Sequence, residues 1–338
     1  MLNKLVIINN EKVFSEKNLF YCDNIEMKSL PEGLGKNFDI SMILRKSKIQ
    51  RSHQIKINKI NLSSNIFNFL LNIFKTFKNK ETNYLLISIT PYTFLAHFIL
   101  LIFKRKIFLY LRSNGHEEYK AIFGFIGPLL YHFMYIFVTF RSKIIVCQNK
   151  ITNKKKVDLV YPSQLDKSWL INTTTAPMDK PRLLYVGRIK VEKGIFSLIK
   201  ILENTSFNFE LTIVGKPSNL KLNNSKIKYI GYENNPEKLR KIYDSHNIFI
   251  LPSFTEAHPQ ALDESLARQR PAIIFEEISH VIQNKKGVFV TKRKTENLIQ
   301  TINFIMNNYK NIIQSIKKND LPSKEKFIEQ MKDILNRN

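Results

Sequence analysis

The sequence predicts an α/β protein made of two doubly wound, Rossmann-like parallel-sheet domains that face one cleft. Three observations lead there. Short, nearly continuous runs of β-branched residues alternate with helical stretches along the chain, as expected of parallel strands covered on both faces. The alternation lapses once, over 161–180, where prolines and a threonine run read as a connector, and then restarts. The length, 338 residues, accommodates two domains of roughly 100–200 residues each. The expected division is a first domain over 1–170, a linker over 171–180, a second domain over 181–315, and a basic helical tail over 316–338 that can pack back on the first.

In the first half the strands read as 5–8, 40–44, 84–89, 107–111 and 143–147, with helical patterns such as 66–78 between them. In the second half they read as 182–186, 209–214, 227–230, 248–251, 272–275 and 287–290. The helices there are 194–203, 236–245, 259–268 and 296–306. In sheets of this kind ligands sit at the carboxyl ends of the strands, so the loops there should carry the chemistry.

Composition narrows the classes. Hydrophobic residues make up 43% and charged residues 24%, enough apolar material to exclude disorder as the main state. Lys and Arg number 53 against 28 Asp and Glu, a net charge of +25. Such an excess favours polyanions: nucleic acid, acidic membrane or phosphorylated ligands. A lysine- and asparagine-rich coding bias explains much of it, so charge alone assigns no function. Two cysteines, Cys22 and Cys147, cannot build a disulfide framework or a four-thiolate zinc site and suit a reducing cytoplasm. The opening apolar stretch is too short for a signal peptide and reads as a buried first strand.

Residues 121–140 carry no Asp, Glu, Lys or Arg. Their length is that of a membrane span, but Gly124, the Gly127-Pro128 step and His132 interrupt the run. Three readings are open: a buried helical hairpin, a true span, or an interfacial element lying in the headgroups. A second apolar run, 94–103, ends in Lys104-Arg105-Lys106. Apolar runs with basic flanks suit a protein resting on an anionic membrane surface.

Two loops of the second half carry the chemistry. After the strand at 182–186 comes Gly187-Arg188-Ile189-Lys190-Val191-Glu192-Lys193-Gly194. The guanidinium of Arg188 and the ammonium of Lys193, with a helix N-terminus behind them, make a clamp for a diphosphate. After the strand at 248–251, Glu256 lies in a loop and Glu264 near the start of the next helix. Pro259 suits a helix start, and the N–H groups of Gln260 and Ala261 then point into the cleft. Glu264 can accept both hydroxyls of a ribose. Glu256 can bind sugar hydroxyls or stabilise developing positive charge. In the first half, the strand at 107–111 runs into a polar cluster, Arg112-Ser113-Asn114-Gly115-His116, the best acceptor-site candidate. Arg112 meets an acceptor phosphate or pairs with Glu117. His97 and His132 read as packing residues.

Over residues 180–310 the sequence resembles the retaining family-4 glycosyltransferases of GT-B fold, the group 1 type that makes bacterial surface polysaccharides. Gly187-Arg188, with Lys193-Gly194, matches their G-R-x4-K-G element, and Glu256 with Glu264 matches E-x7-E. The resemblance implies a nucleotide-sugar donor held by the second domain. Arg188 and Lys193 would neutralise the diphosphate, Glu264 would hold the ribose, Glu256 would meet the donor sugar, and Gly215 and Tyr232 would line the nucleobase pocket. His116 sits roughly where the family often places a histidine near the reacting sugar. Transfer would retain anomeric configuration and need no metal or other cofactor. No D-x-D motif and no His/Cys cluster with ligand spacing is present.

The chain departs from the family where Gly-Phe-Gly often follows the first glutamate. It has Ala257-His258-Pro259, and His258 either binds the donor sugar or fills the loop. The expected acceptor is a lipid-linked, lipopolysaccharide or capsule glycan at the inner face of the bacterial inner membrane. A nucleotide-sugar epimerase of GT-B-like fold is the alternative. A nucleic-acid binder ranks below it, because no recognisable binding module is present.

Overall fold

The computed structural model describes residues 2–337 apart from 79, 204, 217–221, 223 and 257. The chain divides into two units, 1–164 with 324–338, and 165–323.

The first unit contains β1 (Asn3–Glu16), β2 (Leu19–Cys22), α1 (Ile25–Leu34), β3 (Phe38–Lys46), β4 (His53–Ile55), β5 (Lys59–Ser63), α2 (Ile66–Phe74), β6 (Asn83–Ile87), α3 (Pro91–Ile102), β7 (Lys106–Leu111), α4 (Gly115–Phe123), α5 (Ile126–Thr139), β8 (Lys143–Val146) and β9 (Val157–Leu159). The second contains α6 (Lys167–Leu170), β10 (Arg182–Val186), α7 (Ile195–Glu203), β11 (Glu210–Val214), β12 (Ile227–Tyr229), α8 (Pro236–Asp244), β13 (Ile248–Leu251), α9 (Gln260–Ala267), β14 (Ala272–Phe275), β15 (Val288–Thr291), α10 (Thr295–Asn307) and α11 (Tyr309–Ile316). The closing helix α12 (Lys324–Asn336) belongs to the first unit.

The parallel part of the first sheet runs β5-β3-β1-β6-β7-β8-β9. The far end of β1 turns aside to pair antiparallel with β2, and β2 with β4. β2, β4, β5 and β9 are additions to the strands read from sequence. β4, β5 and β9 are short and interrupted by polar residues, and β2, though apolar throughout, is only four residues long. Helices α1 and α12 pack together on one side of this sheet, and α2, α3 and α5 pack in sequence on the other. Met27, Leu30, Phe327, Met331 and Leu335 seal the α1/α12 side.

The 121–140 segment is two helices rather than one. Gly124 breaks it with φ 63° and ψ −143°, a conformation an L side chain rarely tolerates. A Cβ at Gly115 would strike the Tyr131 ring, and one at Gly127 would strike the Tyr119 carbonyl. These paired approaches make α4 and α5 an antiparallel hairpin with its elbow at 124–125. No helix among the described residues is long and apolar enough to cross a membrane. The segment is not plain core either: Phe125 is 89% exposed and Leu129 72%. His97 is buried, as expected of a packing residue, but His132 is exposed, correcting its reading as packing.

The second unit is a parallel sheet, β12-β11-β10-β13-β14-β15, with its core between the strands and α7, α9 and α10. The stretch read as a linker is fastened to this unit by two arginines, each 2% exposed. Arg268 donates to the carbonyls of Trp169 (3.0 Å), Ile171 (2.8 Å) and Asn172 (2.8 Å), and grips Asp244 through Nε and Nη2. Arg270 donates to the Thr174 carbonyl (3.0 Å) and to those of Asp244 and Tyr243. The side-chain amide of Asn247 donates to the carbonyls of Pro177 and Lys180.

Candidate active site

Three glycines shape the carboxyl edge of the second sheet. The Gly187 N–H donates to the Val214 carbonyl, and the Gly215 N–H to the Gly231 carbonyl. A Cβ on Gly215 would collide with the Gly187 carbonyl oxygen, so the loops after β10 and β11 can meet only through glycine. The Tyr229 hydroxyl donates to the Gly215 carbonyl at 2.8 Å. Tyr232 is exposed next to this edge, with the Lys216 ammonium 4.3 Å from its ring centre.

The loop after β10 carries Arg188, its side chain exposed, and a single helical turn over Val191–Lys193. Gly194 then adopts φ 66°. A side chain there would meet the Pro252 carbonyl, which belongs to the loop after β13. The two loops are also stitched by a hydrogen bond from the Phe254 N–H to the Glu192 carbonyl, 3.0 Å. This contact delivers Lys193 Nζ to Glu256 Oε1 at 2.6 Å. Ser253 Oγ donates to the same oxygen at 2.7 Å, and His280 Nε2 lies 2.8 Å from the Glu256 carbonyl. Lys193 and Glu256 are 18% and 10% exposed, so the pair is largely shielded, where charges interact strongly.

α9 begins at Gln260 with Pro259 as its N-cap, one residue later than expected. Glu264 lies one turn in and is half-buried. The Tyr243 hydroxyl donates to its Oε2 at 2.9 Å. Burial pushes the Glu264 carboxyl up to about 7; the Tyr243 hydrogen bond pulls it down, and neighbouring Asp263 pushes it further up. The His258 side chain is 5% exposed, with Nε2 3.0 Å from Asp263 Oδ2, and Lys285 Nζ stands 3.6 Å from the other oxygen. The structure thus places the His258 ring on a buried carboxylate beneath the loop. Ala257 lies outside the described residues.

The sequence reading missed Arg293. Its guanidinium lies 4.2 Å from the ring centres of both Phe254 and Phe275 and donates to the Pro252 carbonyl at 3.0 Å and to Glu277 at 2.8 Å. It holds the Glu256 loop from behind. Neither Arg293 nor Tyr243 stands in a motif, and only packing brings them to the site; Ser253 lies in the Glu256 loop itself, three residues before the glutamate. Among the described residues, no group of three or more His, Cys, Asp or Glu side chains is placed to hold a metal ion. A cavity of about 570 Å³ elsewhere on this unit, lined by Thr174, Arg270, Tyr309 and Lys310 among others, includes none of the site residues.

In the first unit Arg112, Asn114 and His116 share one loop and helix start beyond β7. Arg112 turns inward, its Nη1 3.6 Å from buried Glu26; the expected pairing with Glu117 gives way to this nearer, buried carboxylate. The Asn114 side chain caps α4 by accepting from the His116 N–H. His116 Nε2 lies 3.3 Å from His132 Nδ1. Partial burial, and then His132, hold the His116 imidazole below its ordinary value.

Residues 167–326 match the sequence model of one family. That model describes the glycosyl transferases group 1. The matched stretch contains all the donor-side candidates: Arg188, Lys193, Gly215, Tyr232, Glu256, His258, Gln260, Ala261 and Glu264. Over a longer stretch the chain is 24% identical to an uncharacterized glycosyltransferase of Haemophilus influenzae, covering 65% of this chain and 68% of that relative. Anabaena Alr3699/HepE, solved in complex with UDP and glucose, superposes with a TM-score of 0.70 at 10% identity, covering 99% of this chain and 100% of that one. WaaG, a glycosyltransferase involved in lipopolysaccharide biosynthesis, gives 0.66 at 13% identity over 98% and 100%. The fold is that of the GT-B glycosyltransferases.

Proposed function

We propose that the protein is a metal-independent, retaining glycosyltransferase. It moves a hexose-type sugar from a nucleotide-sugar donor to a lipid-linked or lipopolysaccharide or capsule glycan, working peripherally on the cytoplasmic face of a bacterial inner membrane. The bond from the anomeric carbon to the diphosphate oxygen breaks, and a bond to an acceptor oxygen forms with the same configuration. The observation that carries this reading is the 2.6 Å Lys193–Glu256 pair, set between the two motifs of a group 1 domain.

A donor diphosphate competes with Glu256 for Lys193. When it takes the ammonium, with Arg188 beside it, Glu256 is released toward the donor sugar, where it serves as positive charge develops. Glu264 accepts from the ribose, and the Gln260 and Ala261 N–H groups at the start of α9 add a favourable helix terminus. Gly215 and Tyr232 border the base. Arg112, Asn114 and His116 remain the acceptor-side assignments, with Arg112 acting through its ion pair with Glu26. The UDP and UDP-glucose complexes of the Anabaena protein support a nucleotide-sugar donor.

The test is a thermal-shift panel of UDP, GDP, ADP and CMP followed by a nucleotide-release assay with the matching sugars. One nucleoside diphosphate should raise Tm in proportion to its occupancy, and its sugar conjugates should release it. No shift from any of them and no release would overturn the reading.

A further inference from the structure

The outer surface of the α2/α3/α5 layer is apolar where a doubly wound domain in water carries polar residues. On α2 the outward positions are Phe67, Leu71 and Phe74, each exposed, while Phe69 and Ile73 face the sheet. On α3 they are Leu95, Phe98 and Ile102, against buried Ala96 and Leu100. On α5 they are Leu129, Phe133 and Phe137, against buried Tyr131, Met134 and Val138. Each set recurs at helical spacing, so each lies along one side of its helix. Ring contacts between Phe74 and Phe103 (5.7 Å) and between Phe94 and Phe133 (6.0 Å) join the helices into one surface. The α4–α5 elbow, with Ile122 and Phe125, extends that surface at the end where α5 begins. Contiguous exposed apolar surface rimmed by polar residues marks an interaction site.

The charges say what docks. The three helices run parallel to one another, so their C-termini share one edge, where Lys75, Lys78, Lys104 and Arg141 are exposed. Segments 64–80, 91–116 and 119–157 contain no Asp or Glu; nearby carboxylates are Glu81 on that edge and Glu117 and Glu118 on α4. A second copy of this face therefore offers no matching acidic edge, whereas an anionic bilayer offers both acyl chains and negative headgroups.

We propose that this face, led by the α4–α5 elbow, docks on an anionic lipid bilayer, with the elbow's apolar side chains among the acyl chains and the edge cations on the headgroups. This deepens the lipid-linked acceptor reading above, since His116 stands at the base of the same hairpin, but its test needs no transfer activity.

Cys22 and Cys147 are buried, so an introduced cysteine is the reactive one. The full chain carrying Phe125→Cys, labelled with an environment-sensitive fluorophore, is mixed with phosphatidylglycerol/phosphatidylcholine vesicles. Glu329→Cys on α12, across the sheet, is the control. The label at 125 should shift to the blue and be quenched by acyl-chain spin labels; the label at 329 should do neither. Raising salt to 0.5 M should lower the bound fraction but not the blue shift of what remains bound. Phe125→Glu with Leu129→Glu should cut vesicle binding at least tenfold while leaving the nucleotide thermal shift of the second unit intact. Absence of vesicle binding, or binding with the 125 label unshifted, would overturn the proposal. So would lipid-free self-association, seen by sedimentation, that buries the label: the face would then belong to a second copy. In either case the donor-side reading stands or falls on its own nucleotide test.

Discussion

Lys193 and Glu256 neutralise each other before any donor arrives, and this frames what substitution should do. Lys193→Ala and Arg188→Ala should each weaken nucleoside-diphosphate binding by about ten- to a hundredfold, the loss of one charge-assisted contact, with the fold intact by calorimetry. Unchanged affinity in both would remove the clamp. Glu256→Gln should lower kcat and kcat/KM together with little change in KM, whereas Glu264→Gln should mainly raise the donor KM; steady-state kinetics exchanging those two patterns would reverse the roles. Glu264 has a second signature. Its folded pKa, about 7 against an ordinary 4.5, lies above its unfolded value. The unfolded chain therefore loses this proton first as pH rises, and the carboxyl costs stability that sets in near 4.5 and is complete above 7. Glu264→Gln should leave stability nearly unchanged at pH 4.5 and raise it at pH 8 by on the order of 2 kcal/mol, seen as a higher Tm only at pH 8. A Tm difference independent of pH would refute the burial argument. The four residues of these tests were legible because each sits in a fixed-spacing motif. Arg293 and Tyr243 were not, because each reaches the site from an element whose own sequence looks ordinary. Arg112 was legible as a polar residue after a strand, but its partner, Glu26, is 86 positions away, and sequence spacing says nothing of that.

At the level of elements, the site depends on loops that touch backbone to backbone. Gly194 combines a left-handed φ of 66° with contact to the Pro252 carbonyl, and Gly215 abuts the Gly187 carbonyl. Gly194→Ala and Gly215→Ala should each cost about 2–4 kcal/mol, from overpacking and, for Gly194, backbone strain. Thermal melts of both should show it, and donor affinity should fall as the loops part. A Gly215→Ala protein with wild-type Tm would mean that the loops can separate freely. The parallel strands were legible because burial on both faces makes them continuous apolar runs. The edge strands were not, and α4 and α5 were ambiguous for a physical reason: an apolar helix face reads the same whether it meets a sheet, a lipid or a neighbour. Exposure at Phe125 and Leu129 excludes plain core, which hydropathy alone left open.

For the molecule as a whole, diphosphate charge is assigned to Arg188 and Lys193 within a chain of net charge +25, so turnover should survive EDTA. Loss of activity on chelation, restored by Mg²⁺ or Mn²⁺, would show that a metal shares the task. The two-unit α/β organisation was legible from alternation alone, yet the unit boundary was less so. Residues 161–180 look like a connector by composition, but from 165 on they belong to the second unit, fastened there by Arg268, Arg270 and Asn247. The practical result concerns where the chain can be cut. A fragment starting at 181 would strip Trp169, Ile171, Asn172 and Thr174 from two nearly buried guanidiniums and leave their donors unpaired, a penalty of about 1–3 kcal/mol for each. The second unit, excised as a module, should begin at 165. Proteases should find this stretch resistant despite its unstructured look, because the carbonyls of Ile171, Asn172, Thr174 and Pro177 are already engaged.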